Sequence, residues 1–222
     1  MDHTPDFAAL RASMVHEQLV ERNITDQRVL EAMGRLERER FVPAEYRAHA
    51  YADYPLPIGE GQTISQPYIV AYMLQVLALR GTERVLEVGT GSGYQTALLC
   101  LLAAEVISIE RLAWLSAQAS ERLAALGLTN VHCIVGDGWL GAPQFAPYQA
   151  ITVSAAAARL PKPLLAQLDR GGRMVIPVRG PHTPEEQMLV FIRRTRCGMR
   201  AKKLCSVRFV PLISDQAASQ GS

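Results

Sequence analysis

The chain has 222 residues, of which 49% are apolar and 20% charged, with 23 basic against 21 acidic side chains. That composition excludes a disordered chain, which would carry fewer apolar residues and a larger net charge. A formal charge of +2 excludes a general polycation held on nucleic acid by charge alone.

The first residues, MDHTPDFAALRASM, hold an early acid and no apolar h-region, so they do not read as a secretory signal. Val15 and Leu19 are four apart on a first helix. Thr25 is the expected N-cap of a second, whose Val29, Met33 and Leu36 keep a helical period. Residues 50–67, AYADYPLPIGEGQTISQP, contain three prolines and two glycines and read as a structured loop. Gly59 and Gly61 there suit either a lid that closes over a ligand or a rigid turn. Pro67 fits the first turn of a helix with Ile69, Val70, Met73, Leu74 and Leu77 on its buried stripe, ended by Gly81.

From Arg84 short apolar strands alternate with helices. Strands are expected at 84–89, 105–110, 131–135, 150–155 and 173–178, with helices at 94–103, 112–126 and 160–168. This alternation predicts an α/β fold, a doubly wound and mostly parallel sheet covered by helices. Residues 187–195 and 203–212 then read as an antiparallel edge hairpin joined at Cys197-Gly198. The expected division is one domain: a helical N-terminal segment and loop (1–80), an α/β core (81–180), the hairpin (181–214) and a disordered tail (215–222). The longest apolar run, Ala97 to Ala104, is far short of the roughly 20 residues of a membrane span. Cys100, Cys133, Cys197 and Cys205 form no CxxC pair and the five histidines are scattered. Neither metal nor a disulfide framework is expected, and reduced thiols fit a cytoplasmic location.

VLEVGTGSGY (85–94) follows a strand and opens a helix, so Gly89, Gly91 and Gly93 allow a tight turn and close approach of a ligand to backbone. Glu110 ends the next strand, nineteen residues after Gly91, where a carboxylate can accept from two ribose hydroxyls. A dinucleotide loop is spaced GxGxxG to seat a pyrophosphate; this one is GxGxG. The spacing resembles the first motif of class I S-adenosylmethionine-dependent methyltransferases. That resemblance implies that Gly89, Thr90, Gly91, Ser92 and Gly93 hold the methionine part of the cofactor and that Glu87 orients it. It also implies that Asp137 and Gly138 of GDG contact the adenine; taken alone, GDG reads as a turn.

PLPIGEGQTISQP (55–67), the glycine loop, GDGW and VRFVPL (207–212) occur together and in order. Over residues 14–213 the chain resembles the protein-L-isoaspartate O-methyltransferase family. The resemblance implies a Rossmann-like fold and methyl transfer from S-adenosyl-L-methionine to the free carboxylate of L-isoaspartyl residues in damaged proteins, leaving S-adenosyl-L-homocysteine. It implies Ser65 as the catalytic serine, with Thr63, Ile64, Val207, Arg208 and Val210 against the substrate. Damaged protein or peptide is the expected partner, with no nucleic acid and no membrane, and a monomer is the expected state. The chemistry suits these residues, because a carboxylate is ionised at neutral pH and needs no general base. Ser65 can orient it by hydrogen bond; read without the resemblance, Ser65 is a helix cap. Other readings are a methyltransferase acting on a small molecule or RNA, a cofactor-binding module, and a dinucleotide oxidoreductase.

Two places depart from the family pattern: Gln149 stands where an Asp is usual, and SAAAARLP (154–161) delays a proline. Both are expected to alter the wall of the substrate pocket. Arg193, Arg194, Arg196, Arg200, Lys202 and Lys203 crowd the hairpin with no acid between them. The strip reads as a solvated, aggregation-resistant edge. The alternative is a surface that attracts acidic substrates.

Overall fold

The computed structural model describes residues 5–180, 183 and 185–214; the tail expected at 215–222 lies outside them. Helix α1 (Phe7–Ser13) runs on into a π-helical stretch, Met14–Leu19, and a 3-10 turn, Val20–Arg22. In a π-helix residues five apart share a face. The buried pair is therefore Met14 and Leu19, and not Val15 with Leu19. Helix α2 (Gln27–Arg35) is capped by Asp26 and not Thr25: the Asp26 carboxylate accepts from Arg28 and Val29 N–H. The Thr25 N–H is committed elsewhere, to Gln75 Oε1 at 2.6 Å.

The loop at 50–67 contains a two-stranded antiparallel hairpin, β1 (Leu56–Gly59) and β2 (Gln62–Ile64). Gly59, Glu60 and Gly61 all have positive φ at its tip. Helix α3 (Pro67–Leu77) follows and stops at a left-handed Ala78, before the expected Gly81. Just beyond, the Glu83 carboxylate accepts the N–H groups of Arg80, Gly81 and Thr82, fixing a turn of its own.

The α/β core alternates β3 (Arg84–Val88), α4 (Tyr94–Leu102), β4 (Glu105–Glu110), α5 (Ala113–Ala125), β5 (Val131–Val135), β6 (Tyr148–Val153), α6 (Lys162–Gln167) and β7 (Leu168–Arg179). Strands β8 (Gln187–Thr195) and β9 (Gly198–Val207) complete a seven-stranded sheet in the order β5-β4-β3-β6-β7-β8-β9. Strands β3 to β7 are parallel and the last two antiparallel. Alternate strand residues point to opposite faces. Val85, Val106 and Ala150 enter one apolar core with α2, α3 and α4; Leu86, Ile107 and Ile151 enter another with Trp139, Tyr148 and Leu164. The strand order reverses at β3, between β4 and β6. Such reversals open a crevice outside the carboxyl ends of the strands.

Two expectations about the C-terminal region change. Strand β9 begins at Gly198 and ends at Val207, not at 203 and 212. Residues 208–214 leave the sheet edge and cross over the strand ends. Ala156 N–H donates to the Val210 carbonyl at 2.7 Å, Leu212 N–H donates to the Ala156 carbonyl at 2.9 Å, and Gln187 bonds both backbone groups of Phe209. VRFVPL is thus a strap and only at its start a strand.

The basic strip lies on the hairpin, along β8, the turn after it and β9. Arg193 pairs with Arg173 on one side and Arg200 on the other, at the end of the sheet where the parallel strands begin. Val207 pairs with Gln187 at the opposite end. At the usual strand rise the two ends are roughly 25 Å apart, about three Debye lengths at physiological salt. The arginines at that far end are therefore largely screened from the crevice, whereas Lys202 and Lys203, paired with Phe191 and Val190, lie midway along the strands. The double variant Arg196→Glu, Arg200→Glu is expected to keep kcat/KM on a short peptide within about twofold at physiological ionic strength. A larger change in steady-state kinetics would restore an electrostatic role for the strip.

No helix among the described residues is long and apolar enough to cross a membrane. Nor do the described residues contain a group of three or more His, Cys, Asp or Glu placed to hold a metal ion.

Candidate active site

A cavity of about 320 Å³ lies over the reversal of strand order, between the ends of β3, β4 and β6. Its floor is the glycine loop, of which Gly89 and Gly91 line the cavity and Gly93 does not. Gly89, Gly91 and Gly93 have φ of 94°, 53° and 88°, values that side chains other than glycine rarely adopt. Gly93 is constrained twice over: a Cβ there would also lie 3.2 Å from that of Ala119 on α5. The loop's Thr90 and Ser92 are on the cavity wall with Gly138.

Glu110 stands at the end of β4, on the same wall and 8% exposed. Its Oε2 accepts the Gly91 N–H at 2.9 Å and its Oε1 the Leu112 N–H at 3.0 Å. Each carboxylate oxygen retains a second lone pair for a ligand hydroxyl.

Glu87 is not on the wall; it lies fully buried behind the loop. Its Oε2 accepts from Thr96 at 2.5 Å and Ser108 at 2.6 Å, and Ser108 is 2.6 Å from Thr90 Oγ1. Glu87 Oε1 has no partner. The residue thus reaches the cavity through intermediaries, Ser108 with Thr90 on one side and the wall residue Gln95 on the other. Burial pushes its carboxyl up to about 7, with Ser108, Thr96 and Gln95 acting against that push and the charge of Glu110 adding to it. The native pKa lies above the unfolded one, so folding favours the protonated form. Its stabilising contribution is complete below about pH 4.5 and is lost as pH rises through about 7. Unfolding titrations of the cofactor-free protein should therefore show stability falling from pH 5 to 8, and Glu87→Gln should remove on the order of 3 kcal/mol of that fall. Identical pH slopes would place the proton on another group.

Asp137 is likewise off the wall. Its Oδ1 accepts the Trp139 N–H at 2.9 Å and its Oδ2 the Ser214 hydroxyl at 2.6 Å. It turns the chain so that Gly138 faces the cavity. A Cβ on Gly138 would fall 2.3 Å from Val88 Cγ1, so glycine is required there.

A second hollow of about 480 Å³ adjoins the first. Thr63, Ser65, Ser154 and Val210 line both. Val207 and Arg208 line the outer hollow only, and the buried Ile64 lines the inner one. Ser65 is not the helix cap. Gln66 occupies the N-cap of α3, with no side-chain hydrogen bond to the helix. The Ser65 hydroxyl is thereby left for another partner.

Sequence reading missed Ser154 and Tyr94, both on the inner wall. Ser154 follows β6, and the position just beyond the strand beside a reversal is a signal that could have found it. Gln95 Nε2 donates to its hydroxyl at 3.1 Å. The two departures from the family pattern separate. Gln149 accepts from Arg84 N–H and donates to Asp169 at the start of the strands, so it does not touch the pocket wall as expected. The alanine run does touch it: Ala155 is on the wall and Ala156 holds the strap.

A nucleoside-sized cavity on bare glycine backbone, with an acid at the next strand end and a serine facing an outer hollow, defines a class I S-adenosylmethionine-dependent methyltransferase. Its nearer kinship follows from comparison. The chain belongs to the protein-L-isoaspartate(D-aspartate) O-methyltransferase family, whose model it matches over residues 10–217. It is 56% identical over 202 residues to protein-L-isoaspartate O-methyltransferase 2 of Anaeromyxobacter sp. (strain Fw109-5), covering 91% of this chain and 82% of the relative. With the protein-L-isoaspartate O-methyltransferase of Roseiflexus castenholzii the identity is 51%, covering 96% and 95% of the two chains. Among solved structures, a protein-L-isoaspartate O-methyltransferase superposes with a TM-score of 0.84 at 26% identity, covering 92% of this chain and 66% of that one. A Plasmodium falciparum structure assigned to the same activity, solved in complex with S-adenosyl-L-homocysteine, gives a TM-score of 0.79 at 26% identity and covers 95% and 99%.

Proposed function

We propose that this chain is a repair enzyme that methylates the free carboxylate of L-isoaspartyl residues in damaged proteins and peptides. S-adenosyl-L-methionine supplies a sulfonium methyl when bound and leaves as S-adenosyl-L-homocysteine. The observation that carries the reading is the wall shared by the two cavities. Thr63, Ser65, Ser154 and Val210 face both a cofactor-sized space and a peptide-sized groove, so a group on either side meets at these residues.

The roles follow from position. Gly89 and Gly91 offer bare backbone to the methionine part of the cofactor, with Thr90 and Ser92 beside them and Gly93 turning the loop into α4, and Glu110 takes the ribose hydroxyls. Gly138 makes room for the adenine, with Asp137 shaping that turn. Glu87 braces the loop from behind. The substrate carboxylate is already ionised near neutral pH, so the chain needs no proton acceptor. Its task is to align the carboxylate, and the Ser65 hydroxyl donates to it there. Thr63, Ile64, Val207, Arg208 and Val210 seat the flanking peptide. Alignment and exclusion of water then supply the catalysis.

Labour divides along the chain: 1–80 brings the hairpin and Ser65, 81–180 the cofactor crevice, and 181–214 the strap. All three come from one chain, which supports a monomer as the working unit. A cytoplasmic site of action suits the four unpaired thiols. Paired peptides that differ only in isoaspartate against aspartate, offered with methyl-labelled cofactor, test the reading. Base-labile label is expected on the isoaspartyl peptide alone. Label on RNA or on a small molecule, or cofactor binding with no transfer, would overturn it.

A further inference from the structure

Arg38 is an arginine with no solvent exposure and, among the described residues, no acid partner. Its charged neighbours Arg35, Glu37 and Arg40 are exposed. A 3-10 turn, Arg38–Phe41, places its first and last residues on one face, and both are buried. Arg38 Nε donates to the Ala50 carbonyl at 2.7 Å and Nη2 to the Ser65 carbonyl at 2.8 Å. The guanidinium carbon lies 4.7 Å from the centre of the Tyr94 ring. Its Nη1 and the Tyr94 hydroxyl are both buried without a hydrogen-bond partner. The neighbouring acid, Glu39, accepts from the Tyr51 hydroxyl instead.

A buried cation satisfied only by neutral groups is costly, and folded proteins normally pair such a charge. Arginine does not escape by losing its proton. The charge therefore remains, directly behind two residues of the inner cavity wall, Ser65 and Tyr94. An anion arriving on the other side of that wall supplies the missing counter-charge.

We propose that Arg38 is a positioning residue for methyl transfer: it clamps the backbone of Ser65, and its unneutralised charge makes the shared wall selective for an ionised carboxylate. It acts through Ser65 and Tyr94 and does not itself touch the substrate. The inference rests on Ser65 marking the carboxylate site.

The test uses full-length wild type, Arg38→Gln and Arg38→Lys. The ligands are an isoaspartyl peptide and the same peptide with its free carboxylate converted to a carboxamide. Competitive binding gives the preference for carboxylate over carboxamide, and kinetics give KM and kcat separately. Arg38→Gln is expected to raise KM about tenfold and to shrink the carboxylate preference by a similar factor. Affinity for S-adenosyl-L-homocysteine should fall less than the carboxylate preference does, since of the two residues Arg38 touches only Ser65 also lines the outer hollow. Arg38→Lys, which keeps the charge, should restore most of the preference. A preference kept intact in folded Arg38→Gln overturns the inference alone. A wild type that does not prefer the carboxylate overturns the reading of Ser65 and the inference with it. Should Arg38→Gln not fold, the guanidinium ¹⁵N signals of Arg38 in wild type, assigned by their loss in Arg38→Lys, decide the matter. They must shift with the carboxylate peptide and not with the carboxamide, and an equal response to both overturns it.

Discussion

Ser65→Ala is expected to fold, to bind cofactor as wild type does, and to lose about a hundredfold or more in kcat/KM on an isoaspartyl peptide. The stability half of this expectation follows from what Ser65 does not do. Gln66 holds the N-cap of α3, and Pro67 fills its first turn, so the serine hydroxyl carries no capping bond. Its carbonyl, which Arg38 does engage, is unchanged by the substitution. Loss of the hydroxyl alone should change unfolding free energy by less than about 1 kcal/mol. The activity half follows from its place on the wall between the two cavities. In the proposed role a hydroxyl there donates to the incoming carboxylate and fixes the direction in which its oxygen faces the methyl. Without it the carboxylate still enters but is not aligned. Methyl transfer to labelled peptide, with thermal melting and cofactor titration alongside, checks all three parts. Unchanged turnover would falsify the role given to Ser65.

The α/β core was legible because its signals are local. Strands β4, β5 and β8 fall on the expected residues, since each is a short apolar run bounded by turn residues. The glycine loop and Glu110 were legible for the same reason: strand, turn and helix are adjacent in sequence, and spacing alone brings the acid alongside. What failed was set by distant partners. VRFVPL alternates like a strand, but backbone bonds to Ala156 and the Gln187 side chain pull it off the sheet after Val207. Thr25 is as good a cap as Asp26 by residue type, but Gln75, fifty residues away, draws its hydroxyl to its own Oε1 and leaves the Asp26 carboxylate to cap. Arg38 carried no signal at all, because a buried arginine among exposed charged neighbours has the composition of a surface. Asp137 and Glu87 show the converse limit. Motif position brought them near the cavity, while the structure keeps both behind its wall. The basic strip was legible as composition, while only the strand register shows how it is spread along β8 and β9.

Glu110→Ala should weaken S-adenosyl-L-homocysteine binding about a hundredfold, the other large effect, by removing two things together. One is the acceptor proposed for the ribose hydroxyls. The other is internal. Glu110 ties Gly91 of the loop and Leu112 at the start of α5 through one carboxylate, at 2.9 and 3.0 Å. Hydrogen bonds to a charged group contribute about 1.5–3 kcal/mol each. Their loss leaves two backbone N–H groups beside the cavity without their acceptor, and the loop no longer has a fixed height above β4. Glu110→Gln keeps an acceptor without the charge and should fall between wild type and alanine. The pattern across variants is the sharper check. Ser65→Ala should spare cofactor affinity and damage transfer. Glu110→Ala should damage cofactor affinity, and at saturating cofactor it should recover much of its turnover, because the wall residues around Ser65 are untouched. Calorimetric titration with S-adenosyl-L-homocysteine gives the first quantity and turnover against cofactor concentration the second. If Glu110→Ala bound as tightly as wild type, the ribose contact would have to be reassigned to another residue of the wall.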